Sequence, residues 1–186
     1  GTTQYDSLQN ALAAVGDDNV VIELIKDATL EYGAREAYGT ASTDKVTIKG
    51  NGKTLTLHQT DSDWSSIGLT NSDATFALEN VNVVKTSVGG NRAWNNHAIN
   101  FSSKIELTNT TFDNAINLSA DANLTGVTIT EDREYYGIWI GANGQTITIE
   151  DTTVTVNTNG GRGIKISDQY IGTAELVKLS VSNSTF

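Results

Sequence analysis

The side chains best suited to chemistry in this sequence are aromatic, amide and basic, and they gather on one recurring kind of segment. Trp139 and Lys165 stand in the middle of Gly137-Ile138-Trp139-Ile140 and Gly163-Ile164-Lys165-Ile166. Asn100 and Asn117 hold the same place in Ala98-Ile99-Asn100-Phe101 and Ala115-Ile116-Asn117-Leu118, and Gly68 does so in Ser66-Ile67-Gly68-Leu69. The stretches leading into these segments carry Trp64, Trp94, His97, Tyr135 and Tyr136, together with Arg92, Arg133 and Arg162. Aromatic rings stack on the apolar faces of sugars, while amides and guanidinium groups take hydroxyls and acids. The candidate ligand-binding residues are therefore Trp94, His97, Asn100, Asn117, Tyr135, Tyr136, Trp139, Arg162 and Lys165. The competing reading is that these outward aromatics pack the loops against a sheet.

What must position them is a repeat. The leading isoleucines of the five segments fall at 67, 99, 116, 138 and 164. A short strand returning every ~20–30 residues is the signature of a solenoid. Each coil is written as three strands. Coil three is Ile99–Phe101, Ile105–Leu107 and Thr110–Phe112; coil four is Ile116–Leu118, Ala122–Leu124 and Val127–Ile129. Alternation along a strand turns Ile99, Phe101, Ile116, Leu118, Ile138, Ile140, Ile164 and Ile166 inward as one stacked wall. Each such side chain, once buried, contributes ~1.5–3 kcal/mol.

The second and third strands of each coil meet at a fixed corner, which falls on Asn80, Asn109, Gly126, Asp151 and Asn183. These residue types tolerate a left-handed backbone, so one sharp bend is expected there in every coil. Ahead of the repeats, Leu8, Ala11, Leu12 and Val15 follow helical spacing, which predicts a helix over 5–15 capped by Asp6 and closed by Gly16. An amphipathic helix in that position covers the open end of the first coil. Val20–Leu24 reads as the first strand and 26–44 as a loop. The expected architecture is all-β: a single right-handed parallel β-helix of about six coils over 20–186, in one domain spanning 1–186.

Composition narrows the partners. The chain of 186 residues has a formal charge of −10 and no Cys, Met or Pro. Disulfides and thiolate metal sites are excluded, and the charge disfavours nucleic acid and anionic membrane as partners. No apolar run approaches the ~20 residues of a membrane span. Asn occurs 18 times, consistent with many turns between Thr- and Val-rich strands. Because the chain starts on Gly1 and stops at Phe186 inside an expected strand, it is expected to be a piece of a longer one, continued by further coils or a cap.

A helical cap, three short strands per coil and an Asn-rich corner between the second and third strands resemble the pectate-lyase-like right-handed parallel β-helix superfamily. The resemblance implies a bacterial surface or secreted protein, and within that superfamily an adhesin-like module is the closest fit. The ligand would be a polysaccharide or a host or cell-surface molecule. Its competitors are a polysaccharide-active enzyme of lyase type and a purely structural stalk.

In enzymes of this superfamily the groove runs along the first-strand sheet. Here its outward middle positions are Gly68, Asn100, Asn117, Trp139 and Lys165, none of them a carboxylate. A glycosidase needs a carboxylate pair across the bond it cleaves. A lyase of the pectate type needs carboxylate-held calcium and a basic residue. Arg162, Lys165, Asp113 and Asp168 lie near the right wall, without an Asp cluster on the strands. No catalytic residue, cofactor or metal centre is therefore expected.

Gly160-Gly161-Arg162-Gly163-Ile164-Lys165 begins like a calcium-binding repeat, but Lys165 stands where that repeat needs Asp. Asp61-x-Asp63 and Glu131-Asp132-x-Glu134 read as solvated acidic loops. The connection before Ile116 is only Asp113-Asn114, between longer ones over 84–97 and 130–136. It should leave a notch floored by Asn117, with Trp94 and His97 on one wall and Tyr135 and Tyr136 on the other.

Overall fold

The computed structural model describes residues 2–61, 65–88, 98–141, 144–167 and 176–186. Trp64, Arg92, Trp94, His97 and Asp168 lie outside the described residues. Among the described residues, one short helix precedes 19 strands, which stack in parallel into three sheets around an apolar interior. The seven-stranded sheet runs β1 (Val20–Glu23), β4 (Lys45–Lys49), β7 (Thr75–Glu79), β10 (Lys104–Thr108), β13 (Ala122–Thr125), β16 (Thr146–Glu150) and β19 (Lys178–Ser182). A second sheet holds β2 (Ala28–Tyr32), β5 (Thr54–Gln59), β8 (Asn82–Ser87), β11 (Thr111–Phe112), β14 (Thr128–Glu131) and β17 (Thr153–Val156). The third sheet carries the recurring segment: β3 (Glu36–Tyr38), β6 (Ile67–Leu69), β9 (Ile99–Phe101), β12 (Ile116–Leu118), β15 (Tyr136–Ile140) and β18 (Arg162–Ile166).

The expected stacking is present. Ile99, Ile116 and Ile138 pair in one column and Phe101, Leu118 and Ile140 in the next, all essentially inaccessible to solvent. The corner is also where the repeat places it, with φ of 50° at Asn80, 49° at Asn109, 66° at Gly126, 49° at Asp151 and 47° at Asn183. Backbone bonds cross from coil to coil at this bend: Asn80 N donates to Thr108 O and Asn109 N to Thr125 O, each at 2.9 Å. The sheets are thus continuous through the corner.

Five expectations need correction. First, residues 26–44 are not a loop. Ala28, Leu30 and Tyr32 alternate inward along β2, which pairs with β5, and Tyr32 and Tyr38 are buried. Second, the solenoid has about five turns rather than six coils. Coils counted from sequence are rungs, and turns are the intervals between rungs of the six-stranded sheets.

Third, the helix (α1) is confined to Leu8–Ala13, and its cap is Ser7, whose hydroxyl accepts from Asn10 N at 3.1 Å. Ser7 has the extended backbone a capping residue needs, one position later than Asp6. Leu8 and Leu12 are buried and α1 packs on β2, covering the first coil. Fourth, Ile67 pairs with Phe101, not Ile99. A two-residue offset preserves which side chains face inward, so the apolar pattern does not resist it. Fifth, Ile166 is half exposed, because among the described residues β18 is the end strand of its sheet and no further rung lies over it.

Candidate functional site

The third sheet brings five of the candidate residues together. The Tyr135 and Tyr136 rings meet edge-on at 5.3 Å between centroids, and Trp139 meets Tyr136 at 5.9 Å. Strand pairing sets Trp139 opposite Lys165 and Tyr136 opposite Arg162 on adjacent β15 and β18. The Lys165 ammonium consequently lies 4.9, 5.9 and 5.3 Å from the Tyr135, Tyr136 and Trp139 ring centroids. It also donates to the Tyr135 hydroxyl at 2.6 Å. The Arg162 guanidinium stands 5.8 Å from the Tyr135 ring, and its backbone N–H donates to the Tyr135 carbonyl at 2.8 Å. This is an aromatic platform threaded by cations, with attraction between ammonium and ring faces. Tyr135 and Arg162 are its exposed members, Trp139 and Lys165 are half-buried, and Tyr136 is buried.

Asn100 and Asn117 are stacked beside it but are only 1% and 3% exposed. Asn117 Nδ2 donates to Asn100 Oδ1, and Asn100 Nδ2 donates to the Ser65 carbonyl at 2.6 Å. They form a buried amide chain beneath the surface. The candidate positions Trp94 and His97 fall outside the described residues.

β8 and the connections that enter β12 and β15 carry buried polar and charged groups. Lys85, Asn114, Glu131 and Glu134 are all buried there. Lys85 Nζ donates to the Ala98 carbonyl at 2.5 Å. The Glu131 carboxylate accepts the backbone N–H groups of Ala115, Arg133 and Glu134, so one side chain ties the turn before β15 to the coil beneath it. The reading of Glu131-Asp132-x-Glu134 as a solvated loop holds for Asp132, which is exposed, and fails for both glutamates. Alternation could have found Lys85 and Glu131. Each follows an inward residue by two, Val83 and Ile129 respectively, and therefore points to the same side.

Burial dominates the electrostatics of this cluster. It pulls the Lys85 ammonium down to about 8, against the partial support of Glu134. It pushes the Glu134 carboxyl up, and the neighbouring charge of Glu131 adds to that. Burial likewise raises the Tyr136 phenol, with Glu134 contributing and the adjacent Asn117 amide opposing.

Among the described residues, no three His, Cys, Asp or Glu side chains come together as a metal site. None of the described helices is long and apolar enough to cross a membrane. A shallow pocket bordered by Thr75, Lys104, Glu106, Asp121 and Asn123 lies on the seven-stranded sheet, not on the sheet of the platform.

A three-sheet parallel solenoid closed by a helix, with three strands to the coil and an Asn-rich corner, is a pectate-lyase-like β-helix. A family model described as "Putative pectate lyase-like adhesive domain" matches residues 2–96, about half of the chain, and the chain belongs to this family. No curated protein and no solved structure matches it. The matched region covers α1 and the coils up to β8, and the platform lies beyond it on later coils of the same solenoid.

Proposed function

We propose that this chain is a non-catalytic adhesive module that works outside the cell and holds glycans on its third sheet. The observation that carries this reading is the platform: Tyr135, Tyr136 and Trp139 with Lys165 set against all three rings and Arg162 against Tyr135. Ring faces supply stacking area for a sugar, and the two cations supply partners for acidic substituents. The family's adhesive description supports ligand holding as the task.

A lyase-type reading has one observation in its favour, the amine of Lys85 with its affinity for protons lowered toward neutrality. That amine is 4% exposed, and a base must come within hydrogen-bonding reach of the proton it removes. Affinity electrophoresis through gels containing acidic and neutral polysaccharides, with product analysis of the same samples, tests the proposal. Retardation without new chain ends, abolished by Trp139→Ala, is the expected result. New unsaturated or reducing ends would overturn the non-catalytic reading, and migration unchanged on every polysaccharide would overturn the glycan reading.

A further inference from the structure

An inward column of the second sheet changes character partway along. Strand register stacks Leu30, Leu57 and Lys85 on β2, β5 and β8. The next pairs set Val83 beside Phe112 and Phe112 beside Ile129. Carried two residues on, that register continues the column through Asn114 and Glu131, and Val156 follows on β17. Bonds hold the register this far: Lys85 N donates to Asp113 Oδ1 at 3.1 Å and Asp113 N to Val83 O at 3.4 Å. An amine, a carboxamide and a carboxylate thus stand on successive rungs between Leu57 and Val156, exposed by only 4%, 1% and 0%. Neighbouring rungs lie ~4.8 Å apart, within the reach of a lysine stem. Two contacts gather the side chains. Lys85 Nζ donates to the Ala98 carbonyl at 2.5 Å. Glu131 accepts the N–H of Ala115, which lies beside Ala98 across the β9–β12 register and follows Asn114 in the chain.

Amine beside carboxamide is a setting for amide exchange. Burial pulls the Lys85 ammonium down to about 8, with Arg133 adding to the fall and Glu134 and Glu131 opposing it. A desolvated neutral amine is a nucleophile, and a reacting group fixed beside it behaves as though highly concentrated. The Asn114 carboxamide carbon is the electrophile on the next rung, in an interior that excludes competing water. Glu134 donates its backbone N–H to Glu131 at 2.8 Å, is buried, and feels the Lys85 charge. Burial also favours the protonated form of its carboxyl. We propose that Lys85 and Asn114 become joined by an intramolecular amide bond, with Glu134 carrying the protons. Lys85 Nζ adds to Asn114 Cγ as the Glu134 carboxyl protonates the amide oxygen, and the Nζ–Cγ bond forms. Glu134 then moves one proton from Nζ to Nδ2. The Cγ–Nδ2 bond breaks, ammonia leaves, and the oxygen returns its proton to Glu134 as the carbonyl re-forms. Atoms and charges balance with no oxidant, metal or co-reactant. The structure holds the arrangement before the bond, with the amine on the Ala98 carbonyl. The link closes residues 86–113 into a covalent loop between neighbouring coils, a brace suited to an adhesive module under load. It needs no ligand, so it stands whether or not the platform holds a glycan.

Linked protein has no Lys85 amine to titrate and is stapled across two rungs, so urea and pH comparisons at Lys85 and Glu134 take unlinked wild type as their reference. Mass spectrometry of the intact chain and of its proteolytic peptides tests the link. Folded wild type held at pH 7 should become lighter than its sequence by one ammonia, and its digest should contain a branched peptide joining Lys85 to Asn114. Lys85→Met and Asn114→Ala should keep the full sequence mass. Glu134→Gln should link roughly a hundredfold more slowly. Wild type that stays at full mass overturns the proposal. So does loss of ammonia with linear peptides alone, the mark of Asn114 closing onto its own backbone. Glu134→Gln linking as fast as wild type overturns the role given to Glu134. The branched peptide is sought in wild type, so the result does not depend on how well the Lys85 and Asn114 variants fold.

Discussion

Lys165 reaches across from β18 to donate to the Tyr135 hydroxyl at 2.6 Å, and in doing so lays its ammonium against three aromatic rings at once. One flexible side chain therefore orders the surface on which the proposed ligand would rest. A cation held between half-exposed rings contributes little to folding, on the order of 1 kcal/mol or less. Lys165→Met should therefore leave the urea midpoint nearly unchanged. Retardation by polygalacturonate should fall more than retardation by dextran, because the acid loses a cation while the stacking area remains. Equal loss on both polysaccharides would mean that Lys165 acts solely by holding Tyr135 in place.

Glu131 and Glu134 stand three residues apart, are both buried, and should differ sharply in their response to substitution. The Glu131 carboxylate accepts three backbone N–H groups, and Glu131→Ala would strand them in a buried turn. The expected cost is roughly 3 kcal/mol, read as a lowered urea midpoint. Glu134 Oε1 has no partner, and burial already disfavours its charge. Glu134→Gln should therefore change stability by less than about 1 kcal/mol. Similar losses in the two variants would contradict the assignment of Glu131 as the residue that clasps the turn.

The repeat frame was readable because it is written redundantly. The same apolar strand, followed by the same turn-forming residue, returns coil after coil, and no single position has to be interpreted alone. Residues that break the pattern were harder to read. β2 was missed because Glu31 and its other polar residues mask the inward Ala28, Leu30 and Tyr32. Composition favours placing Lys85 and Glu131 in solvent, whereas strand alternation carries them inward. The aromatic and basic members of the platform were legible through repeat position, since Trp139 and Lys165 fall on stacked copies of one segment. The burial of Asn100 and Asn117 was not, because it depends on side chains arriving from other coils.

The corner offers a sharp test of backbone geometry. Gly50 approaches the next coil so closely that a Cβ there would lie 2.5 Å from the Asn80 carbonyl oxygen and 2.6 Å from the Val81 Cα. Neither can move without breaking the ladder, in which Gly50 N donates to Glu79 O and Gly52 N to Asn80 O, each at 2.8 Å. Gly50→Ala should therefore be among the most damaging single-methyl additions, costing about 1–3 kcal/mol. At Gly126 the contact is with the end of the Asn109 side chain, which can rotate away, although the φ of +66° still penalises a side chain. Gly126→Asn, the residue type found at the same bend in neighbouring coils, should be milder than Gly50→Ala in urea unfolding. The reverse order would mean that coil-to-coil contact at the corner is looser than the geometry states.

The buried Lys85–Glu134 neighbourhood should give stability an unusual pH profile. Folding lowers the proton affinity of Lys85 from 10.5 to about 8. Between those values the unfolded chain holds more protons, so the Lys85 contribution to stability rises with pH and is complete above about 10.5. Glu134 moves the other way: its carboxyl is raised from 4.5 in the folded state. Its contribution is fully present below pH 4.5 and is lost as pH rises through the folded value. Urea midpoints measured from pH 4 to 10.5 should therefore show two limbs, each tied to one residue. Glu134→Gln should remove a fall on the acidic side, and Lys85→Met should remove a rise on the alkaline side, whatever the baseline stability of each variant. If wild type and Lys85→Met run parallel between pH 8 and 10.5, the ammonium of Lys85 is solvated through a path that the packing around Ala98 does not provide.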